Sequence, residues 1–325
     1  MFYIYIMEFN KNLSDKILKK RNIKTTSLNA YILNLQKILK MMELEPTISN
    51  LDKALKNPKE IMDLLKDKKP STIRNYLAAI VVYLSIDEDD KDTLDEYGAL
   101  MELYQKQNND AIKNNTKTSS QEKNWSTLEE LRQVLKNYKK ELDMNGSLKK
   151  DELSKKEFDL LQKWVVGNLY IGDDANPPLR NDYIMEVVSF NDYKDLSDSE
   201  KKRQNYLVIK NRSNKFFSLG EYKTSDKFGI KLIKVGKTLN KVLNVWLKYN
   251  KSGHLLLNSK GEPISPNSLT KLLVKTFSPT GKNISSSMLR HIFITEKFPP
   301  NTTEKQEVAD KMLHSKEMQS DYAKQ

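Results

Sequence analysis

The stretch that decides the fold runs from Asn205 to Val235, NYLVIKNRSNKFFSLGEYKTSDKFGIKLIKV. Three short segments within it, Tyr206–Ile209, Lys215–Leu219 and Gly229–Val235, carry β-branched and aromatic side chains with turn residues between them. Such side chains fit a pleated surface, so the spacing predicts strands here. Outward on both sides the apolar residues recur with a helical period. Helices are expected near 127–142 and 152–170 before the strands, and near 237–249, 267–277 and 286–297 after them. Ser126-Thr127-Leu128-Glu129 reads as the capping box that opens the first of these. The expectation is a mixed α+β domain over residues 126–325 with a small antiparallel sheet.

Upstream the pattern is helical only. Leu28, Ile32, Leu35, Ile38, Leu39 and Met42 make one stripe, and Asn57-Pro58 is an N-cap with a first-turn proline. Ile73, Tyr76, Leu77, Ile80 and Leu84 mark a further helix, and a polar one passes through Tyr97, Leu100 and Tyr104. Four helices without a strand signal describe an all-α domain over residues 25–112. Residues 113–125, polar and aperiodic for most of their length, read as a linker, and residues 1–24 as an N-terminal extension with a short apolar packing segment. The chain is thus expected to be mainly α, in two domains, which suits its 325 residues.

Composition removes several chemistries. There is no cysteine, hence no disulfide scaffold, thiolate metal site or thiol nucleophile, and 3 histidines argue against an all-imidazole metal site. The longest apolar run, Ala78–Leu84, is far short of the ~20 residues that span a bilayer. An intracellular protein is expected. The net charge of +12 is regional: residues 201–290 hold 19 basic and 3 acidic side chains, and the remainder is slightly acidic. A basic stretch interleaved with Tyr and Phe is the footprint of a nucleic-acid surface. Arginine is rare, seven against 48 lysines, so each Arg is a candidate for a place where the planar fork of donors is needed.

Individual candidates follow from that. Arg180, after Pro177-Pro178 and beside Asp182, is expected near the start of the next helix, where anions are favoured. Lys223, in Gly220-Glu221-Tyr222-Lys223-Thr224, is expected on the turn between two strands, with Lys215 and Lys227 close by. Ser287 and Arg290 stand one helical turn apart in Ser285-Ser286-Ser287-Met288-Leu289-Arg290-His291. Lys311-Met312-Leu313-His314-Ser315 is followed eight residues after the His by Tyr322. Taken singly, each also fits an ordinary surface or packing role.

The order Arg, Lys on a β-turn, Arg on a helix, His and a near-terminal Tyr resembles the tyrosine recombinase (phage integrase) family, over nearly the whole chain. Thr72-Ile73-Arg74-Asn75-Tyr76-Leu77 looks like part of that family's core-binding domain, and Gly253–Leu257 through Ser265-Pro266-Asn267 is similar to the hairpin and helix before its second arginine. Leu289-Arg290-His291 with Leu313-His314-Ser315 is the closest local match. The resemblance implies that Tyr322 attacks a DNA phosphodiester, that Arg180 and Arg290 hold the phosphate, that Lys223 protonates the leaving oxygen, and that His314 hydrogen-bonds the phosphate. It implies no metal and no ATP, double-stranded DNA as partner between two clamping domains, and assembly on DNA from dimer to tetramer. A site-specific recombinase or integrase of a virus or mobile element is the leading expectation. A type I topoisomerase with the same chemistry and a catalytically dead DNA-binding protein of the same fold are the alternatives. Three features depart from the family pattern. Ser287 stands where a His is usual, the spacing from His314 to Tyr322 is one residue short, and only Ala323-Lys324-Gln325 follow Tyr322 in this sequence.

Overall fold

The computed structural model describes residues 2–87, 90–113, 116–172 and 178–297. The chain divides near residue 114 into two compact units. The first is helical: α1 (Phe2–Lys20), α2 (Thr25–Met41), α3 (Ile48–Leu55), α4 (Pro58–Leu65), α5 (Pro70–Leu84) and α6 (Lys91–Lys113). Its starts are written in the sequence. The Thr47 hydroxyl accepts from Asn50 N–H at 3.1 Å, and Asn57 caps α4 ahead of Pro58, each cap worth about 1 kcal/mol. α5 packs against α2 and α6 and buries Ile73, Tyr76, Leu77 and Ile80.

Two features of this unit differ from expectation. Residues 1–24 hold a helix of the unit itself, because Phe9, Leu13 and Ile17, four residues apart, drop into its core. α3 is an additional helix, only eight residues long and with too few turns to stand out by periodicity.

The second unit runs α7 (Ser119–Lys123), α8 (Leu128–Met144), α9 (Lys155–Ile171), β1 (Glu186–Ser189), α10 (Phe190–Asp195), α11 (Asp198–Arg203), β2 (Asn205–Asn211), β3 (Asn214–Leu219), α12 (Ser225–Phe228), β4 (Lys231–Lys234), α13 (Lys237–Tyr249), α14 (Pro266–Phe277) and α15 (Ser286–Lys297). The predicted linker contains α7, a single turn held by a Thr118/Gln121 capping box. The box that opens α8 is Thr127 with Glu130, one residue later than the sequence suggested.

α9 is the hub of this unit, packed against α8, α13, α14 and α15 and buried nearly all round. Its buried Gln162 pairs with both backbone groups of Leu257, donating to the carbonyl at 3.1 Å and accepting from the N–H at 2.8 Å. Trp246 of α13, with no exposed surface, donates its indole N–H to the Leu255 carbonyl at 2.7 Å.

The sheet order is β1-β2-β3-β4. β2–β3 and β3–β4 are antiparallel as expected, and β1 adds a strand parallel to β2, so the sheet is mixed. Leu207 and Phe217, cross-strand partners, face the main core, while Tyr206 and Val208 join Tyr193 of α10 in a second small cluster. Cover on both faces explains why β2 reads as a continuous apolar run instead of an alternation. The fold is mainly α with a small sheet in the second unit.

Candidate active site

Arg180 lies in the irregular segment between α9 and β1, not at a helix start. Pro178 precedes it, and the element that follows is a strand. Two tyrosines latch this segment to the end of α9. Tyr170 donates its hydroxyl to the Arg180 carbonyl at 2.5 Å, and Tyr183 donates to the Leu169 carbonyl at 2.8 Å. Their rings meet edge-on at 5.1 Å, and Tyr183 packs on Phe217 of the sheet at 5.5 Å. Leu179, Tyr183 and Met185 are sunk in the core. This anchoring fixes the backbone on both sides of Arg180, which is half-buried.

Asn205, at the first position of β2, joins this segment to the one carrying Lys223. Its Nδ2 donates to the Asp182 carbonyl at 3.1 Å and to the Glu221 carbonyl at 2.9 Å, and its Oδ1 accepts from Gly220 N–H at 3.0 Å and Glu221 N–H at 2.9 Å. A buried carboxamide with four such bonds leaves no polar atom unmet. Gly220 is required by close approach, since a Cβ there would lie 1.8 Å from the Lys201 carbonyl oxygen. Tyr222 is buried and closes the loop onto the Gly229 carbonyl at 2.7 Å. Lys223 follows with its side chain exposed, on the connection between β3 and β4.

The two nearby lysines are placed differently. Lys227 is exposed in α12. Lys215 is 2% exposed, and its ammonium is committed to the Arg212 carbonyl at 3.0 Å, Asn240 Oδ1 at 2.8 Å and Asn244 Oδ1 at 2.6 Å.

The third component is the start of α15. Ser285 caps it, accepting from Met288 N–H at 3.3 Å. Arg290, 1% exposed, donates from Nη1 to the Pro178 carbonyl at 3.0 Å. Ser286 donates to Asn181 Oδ1 at 3.2 Å. Residues 178–181 and 286–290, more than a hundred positions apart in sequence, therefore lie side by side. Ser286, four residues before Arg290, makes the contact with the Arg180 segment. Ser287, three residues before it, is exposed in the first helical turn.

Asp182 is the electrostatic centre. Its carboxylate accepts the Arg180 backbone N–H at 3.1 Å and feels the charges of both Arg180 and Arg290. Burial is the larger influence and holds its carboxyl above the ordinary 3.8 despite that help. Burial also drives the Tyr170 hydroxyl far up, reinforced by Tyr183 and Asp182 and opposed by Arg290. Asp182 likewise raises Tyr222, after burial, which ties the Lys223 loop to the same neighbourhood.

His314 and Tyr322 lie outside the described residues. Of the other candidates, Arg180 and Arg290 are brought together, and Lys223 is tied to them through Asn205. Asn205, Ser286 and Asp182 were not singled out as site residues from sequence. Only Asp182 had a signal there, its place beside Arg180. Among the described residues, no group of three or more His, Asp or Glu gathers to hold a metal, and no helix is long and apolar enough to cross a membrane.

No protein-family model matches the chain, and no curated protein matches it. Among solved structures, the crystal structure of XerA recombinase matches over 98% of this chain and 93% of its own, at 10% sequence identity and a TM-score of 0.38.

Proposed function

We propose that the chain is a DNA strand transferase of the tyrosine recombinase type. One observation carries the reading. Two rare arginines, distant in sequence, lie in neighbouring segments and both act electrostatically on the half-buried Asp182, and the loop bearing an exposed lysine is fastened to the same segment by Asn205. Two guanidiniums in adjoining segments offer planar forks of donors that suit an anion with several oxygens.

In this reading a phosphodiester approaches Arg180 with Arg290 beneath it, and Ser287 adds a hydroxyl from the first turn of α15, where an anion is favoured. Tyr322 attacks phosphorus. The bond to the 5′-oxygen breaks, Lys223 delivers the proton that oxygen needs, and a 3′-phosphotyrosyl link remains. Positive charge aimed at the pentacoordinate phosphorus stabilises the transition state, and His314 supplies a further hydrogen bond. The bond energy stays in the covalent link, so rejoining needs neither ATP nor metal. The regional excess of 19 basic over 3 acidic residues in 201–290 supplies the long-range attraction for duplex DNA.

A suicide substrate tests this: nicked duplex, no metal, no ATP, then a denaturing gel and peptide mapping. The expected result is a covalent adduct on Tyr322 that Tyr322→Phe abolishes while DNA binding is retained. DNA binding without an adduct over a randomised pool of sites would refute strand transfer and leave a DNA-binding protein. Relaxation of supercoiled plasmid without exchange between duplexes would make it a topoisomerase.

A further inference from the structure

A second cationic feature of the same unit lies apart from the residues of the proposed reaction. The β2–β3 turn and α13 border an open cleft of about 670 Å³ whose lining includes Arg212, Lys215, Lys241 and Lys248, with Val245 and Tyr249 among the apolar wall. Among the described residues, no Asp or Glu lines it. Four cations around one concavity repel one another, and a fold keeps such an arrangement at a cost unless something negative occupies it.

The details sharpen that point. The Arg212 carbonyl receives three donors: Lys215 Nζ at 3.0 Å, Asn240 Nδ2 at 2.9 Å and Asn244 Nδ2 at 3.0 Å. Both carboxamides in turn accept from the Lys215 ammonium. The turn is thus locked to α13 by neutral dipoles around a buried charge. Burial, then the Arg212 charge, lowers the Lys215 pKa from its ordinary 10.5. Locking the backbone of Arg212 fixes the origin of its side chain, which is exposed, as is that of Lys241 one helical turn before Val245. Lys248 is partly spoken for, donating to the Lys150 carbonyl at 2.9 Å and to the Tyr249 hydroxyl at 3.0 Å.

We propose that this cleft binds phosphate groups, with the Arg212 guanidinium and the Lys241 ammonium as donors and Lys215 as a fixed charge beneath them. A guanidinium paired with an ammonium over an apolar wall matches a polyphosphate, whose oxygens take charge-assisted bonds from both. The phosphates come either from the backbone of nucleic acid or from a free phosphate compound, and the inference does not depend on strand transfer.

The test uses the full chain with the double variant Arg212→Glu/Lys241→Glu. The matched control is Lys202→Glu/Arg203→Glu, which reverses the same charges at two exposed positions of α11. Neither pair of side chains holds the core together. Two probes are titrated: inorganic triphosphate by calorimetry, and a short fluorescent duplex by anisotropy across a salt series. If the source is a free compound, triphosphate binds the parent and the control, and the cleft variant loses at least about tenfold, the loss of one charge-assisted bond. If the source is a nucleic-acid backbone, the slope of log affinity against log salt falls by about two in the cleft variant and stays near the parent value in the control. Equal behaviour of cleft variant and control with both probes would overturn the proposal. Triphosphate binding that needs the cleft, in a protein that forms no adduct with DNA, would keep this inference and remove the strand-transfer reading.

Discussion

The second unit buries two cations in opposite ways. Arg290 sits 1% exposed close to a carboxylate, Asp182, that a second arginine shares. Lys215 sits 2% exposed among carbonyl and carboxamide oxygens alone. The first arrangement sets charge against charge, with the Arg290 guanidinium also donating to the Pro178 carbonyl. The second satisfies each ammonium proton with a dipole and leaves the net positive charge to act on its surroundings. Buried charge is costly in either form; in the proposed reaction the first serves to aim an anion clamp, while the dipoles leave a net positive charge.

That contrast sets an order of effects. Arg290→Met removes a buried guanidinium that donates to the Pro178 carbonyl and acts on Asp182, and should cost about 3 kcal/mol in denaturant melts. The double variant with Asp182→Asn should recover part of that loss. Equal stability of the single and double variants would mean that the two residues are not coupled. Asn205→Ala should cost about 2 kcal/mol, because backbone groups at Asp182, Gly220 and Glu221 lose their partner. Stability should fall less in Lys215→Met, by about 1 kcal/mol, since Asn240 and Asn244 still donate to the Arg212 carbonyl. A larger loss for Lys215→Met than for Arg290→Met would reverse the comparison.

The two sites also differ in pH dependence. Asp182 titrates above its ordinary 3.8 in the folded protein, so its contribution to stability is fully present below 3.8 and is lost as pH rises through the folded value. Lys215 titrates below 10.5, so its contribution is fully present above 10.5 and is lost as pH falls through the folded value. Stability profiles should therefore lose a descending limb at the acid end in Asp182→Asn, and an ascending limb at the alkaline end in Lys215→Met. Parent-like limbs in both variants would contradict the assignment.

Legibility in the sequence followed the strength of local signals. The helices with long apolar stripes, such as α2 and α5, and the three antiparallel strands were readable because several side chains repeat at one period. β1, at four half-exposed to half-buried residues, carries too short a pattern, and its parallel pairing with β2 is a long-range choice that no local spacing encodes. Arg180 and Arg290 stood out because arginine is scarce here. Asn205 could not, since one asparagine among many gains its meaning from Asp182 and Glu221 folding onto it. The sequence spacing placed Ser287 with Arg290, yet the helix turns Ser286 toward Asn181. Ser286→Ala should accordingly lower stability by about 1 kcal/mol and Ser287→Ala by much less, the smallest effect of the series.

The central claim is that Arg180 is a phosphate clamp and not merely a structural cation. Arg180→Lys keeps the charge and removes the fork. Single-turnover adduct formation on the nicked duplex, measured beside DNA affinity for the same protein, separates the two roles. The clamp predicts that the rate falls by about a hundredfold or more while affinity stays nearly unchanged. A variant that cleaves at the parent rate, or one whose rate and affinity fall together, would contradict it.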